Sequence, residues 1–113
     1  MPFKLIETSL RDILHHIDLA ASFAKGFDRE SFRHTKTVYA VTRCLEIISE
    51  ASRRLPEDVK VRHPAIGWKQ MAGAGNVYRH DYEDVAAEFV WETVVRALPP
   101  LRSAIESELE RGT

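Results

Sequence analysis

An all-α fold, an antiparallel four-helix-type bundle with a kinked C-terminal helix, is what this sequence predicts, on three observations. Apolar residues recur at steps of three and four along most of the 113-residue chain. No stretch alternates with period two between hairpin turns, so nothing reads as a strand. Glycines and prolines divide the chain into segments of helical length. With 44% hydrophobic residues, a chain of this size is expected to bury roughly 60% or more of its unfolded surface around one core. It is expected to form a single domain over residues 1–113.

Each element follows in order. Leu10, Ile13, Ile17, Ala20 or Ala21, and Ala24 mark one face of a first helix, and Gly26 supplies its C-terminal stop. Asp28 can cap a short turn through DRESF. Thr35 can cap a longer second helix with Val38, Val41, Leu45, Ile48 and Leu55 on one stripe. LPEDVKVRHPAIG reads as a loop with room for one short turn, because Pro56 and Pro64 disfavour helix at themselves and at the residue before. From Trp68 the chain is expected to turn helical again, and 68–80 can be read as one helix. Gly73 and Gly75 each cost it about 1 kcal/mol against alanine, and glycines kept at such a cost imply close backbone approach. Val85, Phe89, Val94 or Val95, and Leu98 continue at helical spacing. Pro99 and Pro100 then force a kink or a fresh start before Leu101, Ile105 and Leu109.

Composition removes several classes of function. The one cysteine, Cys44, sits in an apolar-periodic stretch, which excludes a disulfide framework and a thiolate zinc site and suits a small core residue. The first residues lack the apolar run of a secretory signal, and no segment approaches the ~20 apolar residues of a membrane span. A soluble cytoplasmic protein is the expectation. A formal net charge of -1 argues against a generally basic nucleic-acid binder. The charge is uneven, however. Residues 53–80 carry six basic and two acidic side chains, and residues 81–113 carry three and eight. The positive segment is either a solvated loop or a landing site for phosphates.

That segment ends in NVYRHDY, residues 76–82. In one helix from 68 to 80, Asn76 and His80 stand four apart and share a face, as do Gly75 and Arg79. Asn76 could then orient the imidazole. His80 carries the side chain whose ordinary pKa lies nearest neutrality, so it could serve as general base or acid. Arg79 could hold a phosphate bidentately, or pair with Glu83 one turn on. Tyr82 adds a hydroxyl. These types suit cleavage of RNA, in which the neighbouring 2′-hydroxyl attacks the phosphodiester once a base has taken its proton; DNA lacks that group. His15, His16, His34 and His63 are scattered and no metal-ligand spacing occurs, so neither a metal nor another cofactor is expected.

Read together, LEIISEASRRLPEDVKVRHPAIGWKQMAGAGNVYRHDYEDV, Trp91 and ALPPLRSAIESELE resemble the HepT-like family of the HEPN superfamily. The resemblance covers nearly the whole chain and is strongest from Leu45 to Leu101. It implies a HEPN-like helical homodimer acting as a metal-independent endoribonuclease toxin on RNA. It also implies a cognate partner, a minimal nucleotidyltransferase antitoxin that silences the toxin by transferring AMP to a tyrosine. The family motif is arginine, asparagine, three residues, histidine, one residue and tyrosine. By that analogy His80 is catalytic, Asn76 supports it and Tyr82 accepts the nucleotidyl group. The chain departs from the motif at Gly75, where the family has its arginine. Either Arg79 substitutes, or the chain is a degenerate, non-catalytic partner and modification target of the nucleotidyltransferase. Glu50, in the SEA that stands for the family's usual GEA, could face the same cleft or be a solvated helix residue. Trp68 and Trp91 could anchor a dimer interface or fill the core, and Gly73 and Gly75 could let two copies pack closely about a two-fold axis. A purely structural helical dimer would need only the apolar stripes.

Overall fold

A computed structural model describes residues 2–76 and 83–112, with the backbone alone for 83–85. Every regular element among the described residues is helical: α1 (Phe3–Ala24), α2 (Arg29–Phe32), α3 (Thr37–Arg53), α4 (Glu57–Arg62), α5 (Trp68–Gly73), α6 (Glu83–Glu92), a π-helical turn (Thr93–Ala97) and α7 (Leu98–Gly112). The bundle is HEPN-like and all-α, as the periodicity and the resemblance led one to expect. α1 packs on α3 and α7, α3 also receives α5 and α6, and α2 sits on α6.

The apolar stripes read from the sequence form the core. Leu10 and Ile13 of α1, Val41, Leu45 and Ile48 of α3, and Leu101 and Ile105 of α7 are fully enclosed. Each large aliphatic side chain in that group contributes about 1.5–3 kcal/mol relative to an exposed one. Cys44 is buried with them, and desolvation pushes its thiol pKa up, as suits an unreactive core residue. Trp68 and Trp91 are half-buried against the same core. The Trp91 ring lies 5.2 Å from that of Phe32, so both tryptophans serve the interior of this chain.

Local chemistry sets the helix ends. Gly26 takes a φ of 89°, the left-handed region that terminates α1 without a side-chain clash, and Phe27 N–H returns to the Ala24 carbonyl. Asp28 and Ser31 form a reciprocal capping box on α2, with Ser31 N–H donating to Asp28 Oδ1 at 2.8 Å and Asp28 N–H to Ser31 Oγ at 3.0 Å. Thr35 acts one residue further out than a simple cap. Lys36 occupies the cap position of α3, while the Thr35 hydroxyl accepts the Thr37 N–H at 3.2 Å.

Pro99 and Pro100 do not force a fresh start. The chain stays helical from Glu83 to Gly112, and one π turn absorbs the two rings: Leu98 N–H bonds to the Thr93 carbonyl, five residues back. That wider turn accommodates rings that would otherwise meet the carbonyls four residues earlier. Salt bridges then tie the ends together. Arg102 of α7 grips both carboxylate oxygens of Asp18 on α1 at 2.6 and 3.1 Å, and Arg29 of α2 pairs with Glu88 and Glu92 of α6. No helix among the described residues is long and apolar enough to cross a membrane.

Candidate functional site

The segment that leads to the polar motif is held from below by an ionic anchor. Glu108 of α7 is buried and accepts three charge-assisted bonds: from Arg62 Nε at 3.1 Å, from Arg62 Nη2 at 2.6 Å, and from His63 Nε2 at 2.6 Å. The Arg62 guanidinium, aided by His63, holds the Glu108 carboxyl below its ordinary pKa against the opposing effect of burial. An ionised carboxylate only accepts, so the His63 proton sits on Nε2. Next along the chain, the Trp68 indole N–H is shared between the Lys60 and His63 carbonyls, both at 3.1 Å. The loop expected over residues 55–67 contains a short helix, α4, whose C-terminal end is both pinned to α7 and stapled to the start of α5. This anchor escaped sequence reasoning because its partners lie 45 and 46 residues apart. A signal was present: Glu108 falls on the apolar stripe of Leu101, Ile105 and Leu109, and a carboxylate on such a face demands a buried partner.

The far end of α5 is built on α3. The helix stops at Gly73, and Ala74 N–H bonds to the Met71 carbonyl in the closing turn. One helix from 68 to 80, on which the shared face of Asn76 and His80 depended, is thus corrected: the regular helix ends before it reaches Asn76. The two glycines differ. A Cβ on Gly73 would meet open space, whereas one on Gly75 would lie 2.9 Å from the Glu46 Cα and 3.2 Å from the Ser49 Cβ. Gly75 is buried. Its lack of a side chain allows close contact with α3 of the same chain.

Ser49 sits at the centre of this seam. Its hydroxyl donates to the Ala72 carbonyl at 2.5 Å and accepts from Arg53 Nη1 at 2.9 Å. The same Nη1 donates to the Ala72 carbonyl at 2.6 Å. Two side chains of α3 thereby satisfy a carbonyl that the end of α5 would leave orphaned. A guanidinium at a helix C-terminus also suits the negative end of its dipole.

Of the residues singled out from the sequence, Asn76 is exposed just beyond this seam. Arg79, His80 and Tyr82 lie outside the described residues, as does the pairing of Arg79 with Glu83. Glu50 is an exposed residue of α3 that accepts a bond from Arg54 at 2.6 Å, one turn away. Among the cations of the positive segment, Arg54 and Arg62 face carboxylates, while Arg53 and Lys69 are exposed. Beneath α5, Ile66, Met71, Ala74, Phe89 and Pro100 line a cavity of about 260 Å³, bounded on its far side by the π turn. No cluster of three or more metal-ligating side chains occurs among the described residues.

The fold and this seam define a class, a HEPN-like helical bundle that presents a polar segment at the end of a short helix. Comparison with known proteins makes the class specific. The family described as Ribonuclease HepT-like matches residues 13–108, and the chain belongs to it. A Methanocaldococcus jannaschii protein named "Putative RNase MJ0125" is 37% identical over 107 residues, covering 94% of this chain and 92% of that one. A Thermococcus cleftensis protein named "Probable ribonuclease HepT" is 39% identical over 98 residues, covering 86% and 89%. No solved structure gives a significant match.

Proposed function

We propose that this chain is a metal-independent RNA endonuclease and the toxin of a toxin-antitoxin pair. His80 removes the proton from a 2′-hydroxyl, which attacks the adjacent phosphorus and expels the 5′-oxygen; that oxygen takes a proton from water, leaving a 2′,3′-cyclic phosphate and a 5′-hydroxyl end. Arg79 steadies the negative charge that grows on the phosphate oxygens. Asn76, exposed at the end of the seam, fixes the orientation of the imidazole or of the substrate. Tyr82 accepts the nucleotidyl group by which a minimal nucleotidyltransferase partner turns the activity off. The working form is a cytoplasmic homodimer.

The observation that carries this reading is the family match, which runs from residue 13 to residue 108 and so includes the whole of NVYRHDY. The names of the relatives point the same way. The positive segment is suited to the substrate, because phosphate contacts dominate the affinity of proteins for nucleic acid. Purified protein is expected to cut single-stranded RNA in the presence of EDTA, and His80→Ala is expected to lower the rate by at least about 10²-fold, the scale of general acid-base catalysis. Cleavage that survives His80→Ala unchanged rules out the assignment of the base.

A further inference from the structure

Arg53 and Gly75 share one neighbour, Ser49. Ser49 touches the position where a side chain at 75 would begin, and its hydroxyl accepts a bond from the Arg53 guanidinium. The cation is therefore fixed at the seam that bears Gly75 and leads to Asn76. Its bonding there is distinctive. Arg54 pairs with Glu50, Arg62 with Glu108, Arg96 with Glu92, and Arg102 with Asp18 and Glu106. Arg53 bonds only to neutral oxygens among the described residues, those of Ser49 and Ala72. Both bonds use Nη1. Three of its five N–H groups, on Nε and Nη2, have no acceptor among the described residues, and the side chain is exposed. A guanidinium anchored through one nitrogen, with an open edge and no neutralising carboxylate among the described residues, has the form that accepts two phosphate oxygens in a fork.

We propose that Arg53 is a phosphate-contacting residue of the RNA site. It supplies, from α3, a cation that position 75 has no room to carry. The ligand is a phosphodiester of single-stranded RNA next to the motif, and the proposal rests on the ribonuclease reading above. Ser49 and Ala72 position the guanidinium, and the phosphate takes its free edge.

The test uses full-length protein and a single-stranded RNA oligonucleotide, with binding measured in a His80→Ala background and cleavage in the parent. Losing one phosphate contact on a single strand should reduce the slope of log affinity against log salt by about 0.7. Arg53→Gln is expected to show that change and to lower kcat/KM by about 10²-fold. Arg53→Lys should keep the salt slope while losing the fork and most of the rate. Arg11→Gln, which removes an exposed cation on α1 that pairs with Glu7, should change neither. Thermal melting separates a capping role from a phosphate role, because Ser49→Ala loosens the same end of α5 but leaves the cation. An unchanged salt slope in Arg53→Gln, with or without a lower melting temperature, overturns the proposal. If the parent cuts RNA and Arg53→Gln cuts equally well, the proposal fails and the ribonuclease reading stands. If the parent does not cut RNA at all, both fall.

Discussion

Two arginines only nine positions apart, Arg53 and Arg62, show how one side chain serves opposite purposes at the two ends of the same segment. Arg62 is locked against the buried Glu108, whose Oε2 it shares with His63, so its charge is consumed within the fold. Arg53 leans on a serine hydroxyl and a backbone carbonyl, which fix its place without cancelling its charge. The first arrangement makes a rigid footing for α4 and α5; the second leaves a cation available where α5 ends and the polar motif begins. In this protein a guanidinium's role follows from whether its acceptors are charged, more than from its position in the sequence.

The comparison breaks most visibly at Glu108. Replacing it by alanine strands Arg62 and His63 without their carboxylate, and removing one member of a buried pair costs about 3–5 kcal/mol. For a chain of this size, a fall in melting temperature of more than ~10 °C is expected. Arg53→Ala should lower it far less. Equal losses would erase the distinction between footing and site.

Acid sharpens the same contrast. The folded Glu108 carboxyl has a lowered pKa, so it holds fewer protons than in the unfolded chain over the interval between the two values. Its contribution is complete above the unfolded carboxyl range and is lost as pH falls through the folded value. Melting curves of Glu108→Gln should therefore converge on those of the parent as the solution is acidified, and a gap that stays constant down to strongly acid pH would contradict the anchor.

Gly75→Arg is expected to have a smaller effect, about 1–3 kcal/mol of destabilisation from overpacking. The new Cβ would press on the Glu46 backbone, which cannot swing aside as a side-chain tip can. An arginine at this position should accordingly lower stability without raising RNA cleavage. A stable variant that cuts faster than the parent would show that α3 can yield and that position 75 is still a productive place for a cation.

Much of this was legible in the chain. The apolar stripes of α1, α3 and α7 appear in the core as the three- and four-residue steps indicate, because their burial requires only periodicity. The stop at Gly26 and the cap at Asp28 were readable because each depends on neighbours within three residues. Three features were not. The π turn arises from fitting Pro99 and Pro100 into a helix already committed to the core on both sides. The stop of α5 at Gly73 comes from the way Ser49 and Arg53 seize the Ala72 carbonyl, 23 and 19 residues away in sequence. Gly75 was expected to sit where backbone approaches closely, but that the approaching helix is α3 of the same chain, at Glu46 and Ser49, was not readable. In each case a contact between distant segments overrides what local propensity favours.

The central claim is that the segment beginning at this seam cuts RNA through its own 2′-hydroxyl. RNA and DNA oligonucleotides of one sequence, incubated with the protein in EDTA and resolved by end-group analysis, test it most directly. The account predicts that the RNA is cut to fragments ending in 2′,3′-cyclic phosphate and beginning with 5′-hydroxyl, while the DNA stays whole. Cleavage of the DNA, or RNA fragments with 3′-hydroxyl and 5′-phosphate ends, would contradict it.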